Sequence, residues 1–135
     1  MDARKLTQEI LDAVLLKYGI MSHHIKRVEV DSIAGGGTIN NDEYVVYRVV
    51  STPPKTRGDG ADIIRNCNID VNYYYKYNRR ASDTRAGVKR MNEIEAAFRN
   101  HPNCKIANGQ SDLYDTDAGF RGINIEVRLW GVVNG

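Results

Sequence analysis

The strictest constraint in this sequence is the alternation across residues 69–77. Ile69, Val71, Tyr73, Tyr75 and Tyr77 fall on one side, and Asp70, Asn72, Tyr74 and Lys76 on the other. Successive side chains of an extended chain point to opposite faces, so the run predicts a strand with one face in a core. Residues 122–133 repeat the pattern, setting Ile123, Ile125, Val127 and Leu129 against Asn124, Glu126, Arg128 and Trp130. Residues 44–50 form another β-rich run, residues 25–30 alternate weakly, and a short strand is expected at 105–107.

Two segments switch to helical spacing. In residues 2–18, Leu6, Ile10, Ala13 and Val14 recur three and four apart, Leu11 and Leu15 widen the stripe, and Gly19 supplies a stop. Farther along, Ser82 is the expected N-cap, Asp83 suits the first turn, and Val88, Met91, Ile94, Glu95 and Phe98 keep the helical period. Asn100, His101 and Pro102 end it. The predicted order is α-β-β-β-α-(β)-β. Two amphipathic helices and a mainly antiparallel sheet bury their stripes together when both helices lie on one sheet face, the two-layer α+β solution.

The 135 residues suit one domain, 1–135, able to bury a core without disulfide or metal support. Neither repeat nor composition shift divides it. A hydrophobic fraction of 41% and a charged fraction of 27% are ordinary for globular chains. Lys plus Arg total 19 against 17 Asp plus Glu, and a net charge of +2 is too small to argue by itself for nucleic acid or an anionic membrane, so any basic partner surface must be local. No apolar stretch approaches the roughly 20 residues needed to span a bilayer, so no membrane partner is expected. The first residues lack a signal-peptide core, which predicts synthesis in a cytoplasm, where Cys67 and Cys104 would stay reduced.

Gly35, Gly36 and Gly37 lead into a strand without a following Lys-Ser or Lys-Thr pair, and read as a turn rather than a phosphate loop. Asp112, Asp115 and Asp117 form an acidic loop without the glutamate that would complete a calcium site. His101 and Cys104 lie three apart, but His23, His24 and Cys67 are scattered and lack paired zinc spacing. The serines sit in no nucleophile elbow. Neither a catalytic residue nor a cofactor is expected.

The tyrosine run, with Arg79, Arg80, Arg85, Lys89 and Arg90 behind it, offers aromatic and cationic groups that could stack bases and neutralise phosphates. The alternation instead assigns Tyr73, Tyr75 and Tyr77 to the core, leaving Tyr74 and Lys76 outside.

The cadence of an N-terminal helix, the strand at 44–50, the connection through Pro53 and Pro54 to Asp59 and Gly60, the tyrosine strand, a helix and a last strand resembles tail terminator proteins of long-tailed bacteriophages. The resemblance covers most of the chain and rests on element order. It implies a non-enzymatic virion protein that assembles as a hexameric ring, stops tail-tube growth and joins tail to head at the tail-head junction. Its implied partners are further copies of itself, the tail tube protein and a head-completion or connector protein. Candidate interface residues are Tyr74, Lys76, Arg79, Arg80, Pro53, Pro54, Asp115 and Asp117, with the segment 79–90 and the loop 112–117 pairing by charge across subunits. The alternatives are a small nucleic-acid-binding module using the Tyr/Arg region, and another neck or minor structural protein of a phage.

Overall fold

The structure is a computed structural model that describes residues 2–27, 39–51 and 65–132. Helix α1, Ala3–Leu15, starts at Asp2, whose Oδ1 accepts the Lys5 N–H at 2.8 Å. A 3-10 turn, Leu16–Tyr18, follows, and Gly19 closes it at φ 75, a conformation that favours glycine. The strands are β1 Met21–His24, β2 Glu43–Ser51, β3 Arg65–Lys76, β4 Cys104–Leu113 and β5 Phe120–Val132, with α2, Ala81–Arg99, between β3 and β4.

They form one sheet in the order β1-β2-β3-β5-β4. β1 runs parallel to β2, and the other neighbours are antiparallel. β5 lies between β3 and β4, so the crossover through α2 spans an inserted strand.

Both helices cover one sheet face. Leu6, Ile10, Leu11 and Leu15 of α1 and Met91, Ile94 and Phe98 of α2 close over Val45, Tyr47, Ile69, Val71, Tyr73, Ile123, Ile125, Val127 and Leu129. Each fully buried aliphatic or phenyl group stabilises the fold by about 1.5–3 kcal/mol relative to its exposed state. The buried Thr7 hydroxyl donates to the Ala3 carbonyl at 2.7 Å, satisfying it within the helix. The α+β order and the one-sided packing agree with the sequence reading, and Tyr73 and Tyr75 are buried while Lys76 is exposed.

Four local expectations are corrected. The strand expected at 25–30 lies earlier, at Met21–His24, because Ile25 takes φ 75 and reverses the chain; residues 28–30 lie outside the described residues. The strand expected at 105–107 extends through Leu113, since β5 offers a long antiparallel partner that accommodates register shifts around Asn108. Asp112 is thereby in a strand and not in a loop. The N-cap of α2 is Arg80, two residues before Ser82, because its backbone is still extended at φ −104 and ψ 141 and the helix begins at Ala81. Val88, expected in the core, is exposed, and Gly87 occupies the inward position against the Tyr75 ring.

Cys67 and Cys104 are both in register with Leu129, on opposite sides of β5. Two strand spacings put their backbones about 10 Å apart, beyond disulfide reach. The glycine run 35–37 lies outside the described residues.

Candidate assembly surfaces

The N-terminal ends of β2, β5 and α2 meet the C-terminal end of β3 at one end of the molecule. Tyr74, Lys76, Arg79, Arg80, Asp115 and Asp117 all lie there. Pro53 and Pro54 lie outside the described residues. They follow Ser51, which pairs with Asn68, whereas Glu43 at the other end of β2 pairs with Tyr75. Strand rise places those two ends of β2 roughly 27 Å apart.

On the face not covered by helices, Tyr74 stacks on Tyr44 with centroids 5.0 Å apart, and Phe120 meets Tyr44 edge-on at 5.3 Å. The Arg27 guanidinium lies 4.4 Å over Tyr44. Gly122 makes room for this cluster, since a Cβ there would come within 2.8 Å of the Tyr74 ring. Farther along the same face the polar side chains bond one another. Asn124 donates to Asn72 at 2.7 Å, Arg48 pairs with Asp70 at 3.2 Å and Asn108 donates to Glu126 at 2.7 Å.

On the helical side, the turn after β3 carries Arg79 at φ 62, and the Asn78 N–H donates to Asp83 Oδ2 at 2.9 Å. Arg121 grips Asp115 through two bonds, Nε to Oδ1 at 2.9 Å and Nη2 to Oδ2 at 3.2 Å, while its guanidinium stacks 3.7 Å from the Tyr77 ring. These bonds, helped by the Arg121 and Arg79 charges, hold the Asp115 carboxyl below its ordinary range. Asp117 is exposed in the turn that Gly119 closes at φ 84.

Beside this ion pair, α2 and the β4–β5 hairpin leave a groove of about 580 Å³. Tyr75 and Ile123 line it with Val88 of α2, which is 39% exposed. Tyr114, 97% exposed, and Asp112 stand at the hairpin side.

A clamp unseen in the sequence ties the elements together. The Tyr73 hydroxyl donates to Glu43 Oε1 at 2.5 Å, and Arg90 Nε donates to the same oxygen at 3.0 Å. Arg90 also lies 3.7 Å from the Tyr18 ring, and the Tyr18 hydroxyl donates to Glu93 at 3.0 Å. Burial, then the bond to Glu43, pushes the Tyr73 phenol far above its ordinary value. The Arg90–Glu93 spacing was visible in the sequence, but Glu43 and Tyr73 carried no local signal.

These contacts bear on the sequence-level candidates. Tyr73 and Tyr75 are buried, Tyr74 is stacked on Tyr44, and Tyr77 and Tyr18 are covered by the chain's own guanidinium groups. Within the run, Tyr74 and Tyr77 stay half-buried, each against a neighbour of its own chain. Arg90 is engaged by Glu43 and Asp115 by Arg121 within the protomer, while Arg79, Arg80, Arg85, Lys89, Asp112 and Asp117 are exposed. His101 Nδ1 accepts the Asn103 N–H at 3.1 Å, and burial raises the Cys104 thiol to about 11. Among the described residues, no three His, Cys, Asp or Glu side chains converge on a metal-sized site. No described helix is long and apolar enough to cross a membrane.

The fold and its surfaces define a two-layer α+β protein. No protein-family model matches the sequence, and no curated protein matches it. Among solved structures, the chain is similar to the sheath/tube terminator of an extracellular contractile injection system, PVC, in its extended state, with a TM-score of 0.35 and 10% identity. The similarity covers 100% of this chain and 58% of that one, so the chain spans a little over half of that terminator's length.

Proposed function

We propose that this chain is a non-enzymatic tail terminator: its copies close into a ring on the last layer of a tail tube, stop tube growth and present the opposite end to a head-completion protein. The element order that resembles phage tail terminators is the order of the fold. The observation that carries the reading is the inequality of the two lateral sheet edges. Among the described residues, one edge is β1, four residues long and parallel to its neighbour; the other is β4, ten residues long, antiparallel and exposed from Ala107 through Asp112. A ring needs contacts in which one surface of each protomer meets a different surface of the next, and unlike edges supply two such surfaces. On this reading the hexameric ring sits at the tail-head junction of a virion, with Lys76, Arg79, Arg80 and Asp117 at one rim.

The test is a tube-growth assay. Added below stoichiometry to polymerising tail-tube subunits, the chain is expected to shorten the tubes and to sit at their ends in negative-stain images. Reversing both charges in Arg79→Glu/Arg80→Glu is expected to weaken capping at least about tenfold while the circular dichroism spectrum stays that of the folded chain. Tubes that elongate unaffected by the wild-type protein would refute the proposal.

A further inference from the structure

At the tip of β1 the Ile25 N–H donates to the Tyr47 carbonyl at 2.7 Å, anchoring the turn to β2. The Lys26 N–H donates to the His24 carbonyl at 2.9 Å across Ile25, whose φ is 75. This is a γ-turn of the rarer hand, centred on a β-branched residue that disfavours positive φ. Ile25 also leaves 66% of its surface exposed. Strain and exposed apolar surface together at a turn tip mark a place where a further contact would be favourable. Lys26 and Arg27 flank the tip and are exposed, with Arg4 bonded to His24 at its base.

The complementary features lie on the far edge. The groove between α2 and the β4–β5 hairpin presents apolar Val88 beside buried Ile123, with two carboxylates, Asp112 and Asp115, against one guanidinium. Arg121 is committed to Asp115, which leaves the exposed Asp112 charge uncompensated within the groove. β1 and β4 are separated by three intervening strands, about 19 Å at ordinary strand spacing, so tip and groove of one protomer cannot meet.

We infer that the Ile25 tip of one protomer seats in the α2–hairpin groove of the next copy, with Lys26 facing Asp112. Resting on the ring reading, this assigns the contact to opposite lateral edges of the sheet. One chain holds both halves of the contact on opposite sides, the arrangement that propagates from copy to copy and closes into a ring.

The test is charge exchange, read by sedimentation velocity at concentrations where the wild type is ring-sized. Lys26→Asp places like charges across every interface, and so does Asp112→Lys. Each alone is expected to weaken assembly at least about tenfold with the monomer still folded. An equimolar mixture of the two variants alternates opposite charges around the ring, and both the mixture and the double variant are expected to regain assembly. Ile25→Glu is expected to abolish assembly whether or not charges match. Ring-sized species indifferent to these substitutions, or losses that mixing does not rescue, would overturn the contact and leave the ring reading standing. A wild type that stays monomeric at every concentration would remove both.

Discussion

Gly87 faces the Tyr75 ring so closely that an added Cβ would come within 2.5 Å of it. The ring is buried at 4% exposure and has little room to retreat. Gly87→Ala is expected to destabilise the fold by about 1–3 kcal/mol, overriding the gain alanine brings to an ordinary helix position, and urea unfolding measures it. A variant as stable as the wild type would contradict this packing. Tyr73 gives a pH-dependent counterpart. Its folded-state phenol is raised while the unfolded one ionises near pH 10. Above that pH the unfolded chain binds fewer protons than the folded one, so stability present below pH 10 declines as pH rises. Tyr73→Phe is expected to lose less stability between pH 9 and 11 than the wild type, followed by thermal melts. The alternation of the tyrosine strand was legible because a two-residue period assigns each ring to a face. The clamp was not, because Glu43 stands 30 residues from Tyr73 and 47 from Arg90. Nor does a helical stripe decide between neighbours such as Gly87 and Val88.

At the level of elements, both helices were legible from their stripes, while their ends were less so. Asp2 caps α1 by a real bond, whereas Ser82, an N-cap by sequence pattern, lies inside α2. Asp2→Ala is therefore expected to cost about 1 kcal/mol, and Ser82→Ala to stay within about 0.5 kcal/mol of the wild type. Denaturant titration of the two variants checks the pair; a larger loss at Ser82 would restore it as the cap. Strands β2, β3 and β5 announced themselves because they border the core and alternate. The edge strands did not. Met21, Ser22, His23 and His24 hold β1 by pairing with β2, and Asn108, Gly109, Gln110 and Ser111 continue β4 because β5 extends beside them. Tertiary pairing, and not local propensity, makes both edges.

For the whole molecule, element order was readable from the sequence, and with it the resemblance that suggested an assembling protein. The shared location of Tyr74, Lys76, Arg79, Arg80, Asp115 and Asp117 at one end was not, since it depends on β5 inserting between β3 and β4. The same insertion separates the Ile25 tip from the α2–hairpin groove, giving the protomer two unlike sides. Unlike sides that fit each other make a head-to-tail contact, and the proposed ring requires in addition that the rotation from copy to copy complete a circle. The most direct test is sedimentation velocity of the purified wild-type chain over a wide concentration range, with absorbance checked for nucleic acid. The account predicts a monomer converting to one ring-sized species free of nucleic acid as concentration rises. A nucleic-acid-loaded monomer that sheds its load as salt is raised would contradict it and favour a binding module instead.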